Sequence, residues 1–200
     1  MSFTVRETAP CAATKETYTY GDYEKWPDDQ RWELIDGVPY DMTPAPSRKH
    51  QEILGELYLQ FANYLKHKRC QVYLAPFDVR LPKGAEAEEM VNTVVQPDLT
   101  VVCDPAKLDD KGCSGAPDLV VEILSPHTAA KDMKIKLALY ERVGVREYWL
   151  IQPLDKTVMV FSLNENGKYA KPEIYDYQDS VGVGIFRGEL IVDLAGVFAE

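Results

Sequence analysis

Two short apolar runs, residues 94–103 and 119–124, constrain the fold of this chain most, because each carries a carboxylate inside a strand pattern. Their length and their content of β-branched residues predict buried β-strands. Asp98 lies in the first run and Glu122 in the second. An ionised carboxylate inside an apolar sheet costs free energy unless it is paired, hydrogen-bonded or bound to a metal. The two runs therefore predict a strand pair built around a polar site.

The pattern of the second run places Asp118 and Glu122 on one face, because side chains alternate along a strand. If the two strands are neighbours, Asp98 and Glu122 converge and offer oxygen ligands to a hard divalent cation. Each acid also has an ordinary alternative, with Asp98 as a turn or cap residue after Pro97 and Glu122 as an exposed residue at a strand edge. Turn, cap or surface roles explain equally well the other polar residues near Glu122, which are Asp118, Ser125 and His127.

A helix is predicted from about residue 129 to 143, with Thr128 as its N-cap. At 100° per residue, Lys136 falls inside the apolar arc of this helix, whereas Lys131 and Lys134 fall outside it. Lys136 either extends its ammonium group to water or reaches the carboxylates at the end of the preceding strand. The arc itself consists of Met133, Leu137, Leu139, Tyr140 and Val143.

The first half of the chain shows three further signals. Thr19 begins a short helix that ends before Pro27, and Asp36-Gly37 is a favoured turn between two strands of a hairpin. Ser47 caps a long helix to about Lys68. His50 lies on or near the apolar stripe of that helix, where it serves either as a core or cap residue or as part of the site. The stripe contains Ile53, Leu54, Leu57, Phe61, Tyr64 and Leu65.

The remaining segments complete a mixed sheet. Residues 71–81 read as one strand, and residues 146–153 and 156–163 as a hairpin. The order strand–strand–helix–strand around residues 94–152 predicts a mixed α/β sheet flanked by helices. Residues 1–16 read as a flexible tail, and residues 17–200 as a single domain.

Composition narrows the class of protein. A hydrophobic content of 46% is that of an ordinary soluble domain, and no apolar run reaches the roughly 20 residues of a membrane helix. The first residues lack a secretory signal, which indicates a cytoplasmic protein. The scattered cysteines at 11, 70, 103 and 113 read as reduced thiols. The net charge of −10 counts against a high-affinity, sequence-independent DNA binder, although a local basic patch is present at Arg48, Lys49, Lys66, Lys68 and Arg69.

Several ordered motifs give the chain a family resemblance: WELIDG, a histidine that opens a long helix, QPDLTVV, PDLVVEILSP, KLALY and GVREYWLIQP. In this order they resemble the Uma-two family of restriction-endonuclease-like proteins, within the PD-(D/E)XK nuclease superfamily. The resemblance runs from about Tyr18 to Phe198. It implies the restriction-endonuclease-like fold, a mixed central sheet with helices on both sides.

The resemblance also implies roles for individual residues. Asp98 matches the metal-binding aspartate, and Glu122 matches the acidic residue of the (D/E)XK element. Leu124 stands where that element has its lysine, and Lys136 of the following helix matches a displaced lysine. Glu33 matches an acidic residue that such nucleases bring from an early element.

Three functions follow from these residues. The first is a Mg²⁺-dependent DNA endonuclease, with Mn²⁺ as an alternative metal, in which Asp98, Glu122 and Glu33 hold the cation; the resemblance adds an expected homodimer. The second is a non-catalytic interaction module that keeps the nuclease fold. The third is a metal-dependent hydrolase of a small phosphorylated substrate, although no phosphate-cradling glycine-rich loop supports it.

Overall fold

The computed structural model describes residues 16–27, 30–42 and 45–199 of the chain. Their elements are, in order, α1 (Tyr20–Tyr23), β1 (Trp32–Ile35), β2 (Val38–Asp41), α2 (Arg48–Leu65), β3 (Gln71–Leu74), β4 (Val79–Arg80), β5 (Val94–Val95), β6 (Leu99–Val102), β7 (Leu108–Asp109), β8 (Gly112–Ser114), β9 (Leu119–Ile123), a π-helical turn (Lys131–Lys136), α3 (Leu137–Val143), β10 (Glu147–Gln152), β11 (Thr157–Ser162), β12 (Glu173–Asp176), β13 (Ser180–Gly182), β14 (Ile191–Asp193) and α4 (Leu194–Val197).

Two sheets of six strands organise the described residues. The central sheet has the order β12-β11-β10-β9-β6-β3, in which β9 and β10 are parallel and the other neighbours antiparallel. The second sheet has the order β2-β1-β5-β4-β8-β7, and β13 and β14 form a separate pair. This mixed α/β architecture confirms the predicted fold class.

The central sheet is covered on both faces, as the alternation along β9 requires. Leu119, Val121 and Ile123 pack in the core that contains the apolar stripe of α2 and the C-terminal elements. Val120 and Leu124 pack in the core that contains α3 and part of the second sheet. Both faces of β9 are therefore buried, and its one carboxylate, Glu122, is 4% exposed.

The predicted local signals in the first half of the chain are confirmed. Thr19 is the N-cap of α1, and the Ser47 side chain accepts a hydrogen bond from the backbone N–H of His50 at the start of α2. Asp36 and Gly37 form the turn between β1 and β2 with φ angles of 50° and 80°, the pair of positive values that a type I′ hairpin requires. The stripe on α2 is buried, apart from the half-buried Tyr64.

Two predicted single strands were wrong, because each divides between the two sheets. Residues 71–81 form β3 in the central sheet and β4 in the second sheet, with Pro76 between them. Residues 94–103 likewise form β5 and β6 on either side of Pro97. A proline has no N–H to donate to a sheet and fixes φ, so it interrupts pairing and lets the chain change sheets.

The predicted helix at residues 129–143 is present, but residues 131–136 form a π-helical turn. The backbone N–H of Leu137 donates to the carbonyl of Asp132, five residues earlier. A π turn winds more slowly than the 100° per residue used in the prediction. Met133, expected in the apolar arc, is therefore 44% exposed.

The prediction that the cysteines are all reduced was wrong for one pair, because Cys70 and Cys103 form a disulfide. In the antiparallel β3–β6 pair, Gln71 lies opposite Val102. The next pair of positions in the same register is Cys70 and Cys103. Their side chains meet across the strands although they are far apart in sequence. Cys113 is buried and free, and Cys11 lies outside the described residues.

The predicted flexible tail, residues 1–16, lies outside the described residues except for Glu16. Within the part of the chain that the structure describes, every helix is too short or too polar to span a lipid bilayer.

Candidate active site

The antiparallel pairing of β6 and β9 brings the two expected carboxylates together. Leu99 lies opposite Val121, so Asp98, just before β6, reaches the end of β9. Its Oδ2 accepts a hydrogen bond of 2.7 Å from the backbone N–H of Ile123, the residue after Glu122. The two acids thus lie side by side at one end of the central strand pair.

Lys136 joins Glu122 to Glu33. Its Nζ donates to Glu122 Oε1 at 2.7 Å and lies 2.6 Å from Glu33 Oε1. The π turn carries this lysine inward, so that its side chain is 2% exposed. The structure therefore brings together all four residues that the sequence and its resemblance indicated, Asp98, Glu122, Lys136 and Glu33.

Glu33, on β1, has both carboxylate oxygens engaged. Oε1 accepts from the backbone N–H of Gln96 at 3.0 Å in addition to Lys136. Oε2 accepts from Lys131 Nζ at 2.7 Å. The Glu33 side chain is fully buried, so it holds two lysines in place rather than facing the solvent.

Lys131 is the first residue that sequence reasoning missed. A projection at 100° per residue placed it outside the arc, and only the slower winding of the π turn brings it to Glu33. Asp132 is the second. Asp132 is 2% exposed. Its Oδ1 lies 3.8 Å from Lys136 Nζ and has no hydrogen-bond partner among the described residues.

His50 and Tyr140 complete the cluster from two helices. His50 Nε2 lies 3.1 Å from Asp98 Oδ2, and its Nδ1 is buried without a hydrogen-bond partner in the described chain. Tyr140 donates its hydroxyl to Glu122 Oε1 at 2.9 Å. The structure therefore places His50 at the candidate site rather than in the apolar core of α2.

Charge is shared unequally in this cluster. Burial alone would raise the pKa of Glu33, but the adjacent Lys136 and Lys131 outweigh it and lower that pKa to about 2. Burial dominates at Glu122 and raises its pKa well above the usual value, since Lys136 is opposed by Asp132, Asp98 and Glu33. Burial also raises the pKa of Asp132. The same acids hold the pKa of Lys136 well above its usual value, even though burial opposes them.

A pocket of about 430 Å³ opens onto the cluster. Its inner wall includes Asp98, Glu122 and Lys136, together with His50 and Lys131. Its outer walls are largely apolar and come from the approach to α2, the segment after β9 and the β10–β11 turn. The apolar residues of the wall that the structure describes are Met42, Ala45, Pro46, Ile123, Leu124, Pro126, Ala129, Pro153 and Leu154.

The donor set fits a cation held by few protein ligands. No group of three or more histidine, cysteine or acidic side chains within the described residues is arranged to hold a metal. Among the described residues, the hydrogen bonds to Asp98 go to Oδ2 and those to Glu122 go to Oε1, so Oδ1 and Oε2 are the oxygens that could hold a cation. Mg²⁺ typically takes one or two carboxylates and completes its shell with water and substrate phosphate.

The balance of charges also favours a cation. Four carboxylates (Glu33, Asp98, Glu122 and Asp132) surround two ammonium groups (Lys131 and Lys136). When all are ionised, the cluster carries two excess negative charges, which burial makes costly. Either protons or one divalent cation would neutralise them, and burial together with the neighbouring acids raises the pKa of Glu122 accordingly.

Comparisons with known proteins extend over most of the chain. The profile of the Uma2 (Uma-two) family, described as "Putative restriction endonuclease", matches residues 20–195. An uncharacterized protein of Synechocystis sp., slr1290, is 29% identical over 164 residues, which cover 80% of each chain. A crystal structure described as "a putative nuclease belonging to DUF820", from Anabaena variabilis ATCC 29413, matches with a TM-score of 0.71 and 23% identity, covering 90% of this chain and 97% of that one. At that identity, the structural match establishes a shared fold.

Proposed function

Because this chain belongs to the Uma2 family of restriction-endonuclease-like proteins, we propose that it is a metal-dependent endonuclease that hydrolyses phosphodiester bonds in DNA. One observation carries the proposal. Asp98, Glu122 and Lys136 come from separate parts of the chain, yet they line the same pocket, with Lys136 Nζ 2.7 Å from Glu122. An interior that only needed apolar packing would not gather these groups at such cost.

Asp98 and Glu122 are the residues that would hold the cation. Bound Mg²⁺ supplies a water of lowered pKa and polarises a phosphoryl oxygen. The ammonium group of Lys136 stabilises negative charge that develops on the phosphate, because a positive group fixed in advance costs no reorganisation during the reaction. Burial strengthens this interaction relative to water.

His50 and Glu33 orient the reacting groups in this proposal. His50 holds Asp98 Oδ2 from one side while the N–H of Ile123 holds it from the other, so the Asp98 carboxylate is fixed in rotation. Glu33 anchors both lysines. Since both of its oxygens are already engaged, Glu33 acts as a positioning residue here, whereas the resemblance counted it among the metal ligands.

Cleavage of plasmid DNA with Mg²⁺ or Mn²⁺ tests the proposal. Glu122→Gln removes a proposed ligand, and we expect it to lower the rate of nicking by about 100-fold or more. The matched control is Glu52→Gln, an exposed glutamate on α2, which should cleave like the wild type. Equal rates for the wild type and Glu122→Gln, or no nicking with either metal over a range of pH, would refute the endonuclease.

A second candidate is a non-catalytic module that keeps the nuclease fold. It is favoured by the closed ion-pair network of Lys136 with Glu33 and Glu122, together with the lack of a three-ligand metal group in the described chain. Calorimetric titration with Mn²⁺ separates the two candidates. A nuclease should bind the ion and lose that binding in Asp98→Ala, whereas a module with a structural ion-pair core should bind none.

The homodimer implied by the family resemblance is part of the same proposal. Light scattering of the purified protein tests it, since a mass near twice the 22.6 kDa of one chain supports a dimer.

A further inference from the structure

The shape and lining of the pocket bear on the form of nucleic acid that could reach the cluster. Two of the proposed reacting groups are deeply buried, with side-chain exposures of 2% for Lys136 and 6% for Glu122, whereas Asp98 is half-buried at 18%. All three line a pocket of about 430 Å³. This volume lies within the range of roughly 300–1,000 Å³ that is typical of pockets for small ligands.

A duplex meets a protein over a broad surface, because the phosphates of both strands lie on a rigid cylinder. The phosphates lie on the outside of this cylinder, so one of them can enter a recessed site only as far as the rest of the duplex clears the rim of the pocket, unless its nucleotide unpairs and unstacks. An unpaired strand has no such restriction, since its backbone can bend into a pocket. The depth of Lys136 and Glu122 therefore favours a flexible strand.

The pocket walls offer few cations for phosphates. Of the described cationic residues in the wall, Lys131 and Lys136 are paired with Glu33, and the guanidinium of Arg31 donates to Gln96 Oε1. The cations of the described wall that remain for phosphates are therefore Arg31, whose partner Gln96 is uncharged, and Lys49, which has a weak bond of 3.3 Å to the carbonyl of Ala199. A duplex-binding protein commonly contacts about 6–10 phosphates, which this wall and a net charge of −10 do not favour.

The apolar walls instead suit an exposed base. Pro126, Pro153 and Leu154 form part of the outer wall, and Leu154 is 84% exposed at its rim. Paired bases in a duplex hide their faces by stacking, whereas an unpaired base offers an apolar face that can pack on such a surface. Apolar contact would then replace part of the affinity that phosphate contacts give to duplex-binding proteins.

From depth, charge and wall chemistry together, we infer that the pocket takes an unpaired nucleotide, so that the substrate is single-stranded DNA or an unpaired segment within a duplex. This inference rests on the proposed nuclease function. It assigns the phosphate of that nucleotide to the inner cluster and its base to the apolar outer wall.

The experiment compares three oligonucleotides of equal length with a fluorescent label at the 5′ end: a single strand, a full duplex and a duplex with a central unpaired segment. With Mg²⁺ or Mn²⁺, we expect the single strand and the unpaired segment to be cut at least about tenfold faster than the full duplex, a factor within the range of one base-stacking contact. Fluorescence anisotropy with Ca²⁺ should give the same order of binding.

A pair of surface variants tests the apolar wall. Leu154→Ala should raise KM for the single strand several-fold while leaving kcat unchanged, because it removes contact area remote from the reacting groups. Ile174→Ala, which alters another exposed apolar residue, on β12, should change neither constant. An unchanged KM in Leu154→Ala would overturn the assignment of the base to this wall.

The other outcomes separate this inference from the function on which it rests. A full duplex that is cut as fast as the single strand would overturn the unpaired-nucleotide pocket and leave the nuclease standing. Failure to cut any of the three substrates, with either metal, would overturn the nuclease itself.

Discussion

Lys136 governs how charge is distributed among the buried acids. It lies 2.6 Å from Glu33 and 2.7 Å from Glu122, so two carboxylates compete for one ammonium group. Glu33 also has Lys131, and its pKa falls. Burial prevails at Glu122, and the pKa there rises. Of the two glutamates that share Lys136, the one proposed to bind the cation is therefore the one whose charge the protein neutralises less.

Substituting Glu33 tests this competition. In Glu33→Gln, Lys136 keeps Glu122 but loses its ion pair with Glu33, and Glu122 loses a neighbouring negative charge. We expect the pKa of Glu122 to fall, measured from the ¹³C shift of its carboxyl group in metal-free protein. The control is Glu147→Gln, a buried glutamate whose partners are Trp149 and Ile185. A Glu122 pKa that stayed unchanged or rose in Glu33→Gln would contradict the competition.

Removing the shared lysine should affect stability in a pH-dependent way. Lys136→Met leaves Glu33 and Glu122 with less positive charge, and breaking a buried ion pair costs about 3–5 kcal/mol. The pKa of Glu122, already raised, should rise further. A carboxyl with a raised pKa stabilises the fold below its unfolded pKa of about 4.3 and loses that contribution as pH rises through the folded value. The loss of stability should therefore be larger at about pH 8 than at about pH 5.

Urea unfolding of this variant at the two pH values measures the effect. Lys134→Met is the matched control, because Lys134 lies in the same π turn but is exposed. It should change the free energy of unfolding by less than about 0.5 kcal/mol at either pH. An equal loss in Lys136→Met at both pH values would show that the destabilisation does not arise from unpaired carboxylates.

Among the elements, the π-helical turn determines which lysines reach the cluster. Its slower winding carries both Lys131 and Lys136 to Glu33 and turns Met133 outward. A regular α-helix would separate the directions of these two lysines by about 140°, since five steps of 100° give 500°. The π turn is thus the local feature that lets one glutamate hold two cations, in line with the frequent occurrence of π-bulges at functional sites.

Changing the length of the turn tests its role. Deleting Met133 should convert the π turn into an α-helical one and leave Lys131 and Lys136 four residues apart, with directions that differ by only about 40°, so both lysines should still reach Glu33. Inserting an alanine after Met133 should leave six steps and, in an α-helix, separate their directions by about 120°. We expect the cleavage rate to be retained in the deletion and in Met133→Ala, and to fall by about 100-fold or more in the insertion. An insertion variant as active as the wild type would show that the winding of this turn is dispensable.

The same elements show what could be predicted from the sequence. The strand at β9, the capped helix α2 and the Asp36-Gly37 hairpin follow from local periodicity and turn chemistry, and these were predicted. The sheet changes at Pro76 and Pro97 were not, because each segment was read as one continuous strand and the choice of partner strand is a tertiary property. The positions of Lys131 and Asp132 depend on helix winding, which an assumed 100° repeat cannot reveal.

At the scale of the whole molecule, the pocket is the feature that would allow an acidic protein to bind a polyanion such as DNA. A net charge of −10 repels DNA at long range, and salt weakens that repulsion along with any attraction. The cations near the pocket mouth are few. Binding that depends on depth and apolar contact should therefore respond only weakly to ionic strength.

The salt dependence of single-strand binding measures this. Each phosphate contact contributes a slope of about −0.7 in a plot of log K against log salt concentration. With Arg31 and Lys49 as the available cations of the described wall, we expect a slope of about −1.4, measured by anisotropy with Ca²⁺. Lys49→Ala should make that slope shallower by about 0.7, whereas Lys68→Ala, which removes a cation outside the pocket wall, should leave it unchanged. A slope steeper than about −4 would mean that six or more phosphates are bound. Most of those phosphates would have to contact cations outside the pocket, which would contradict binding through the pocket alone.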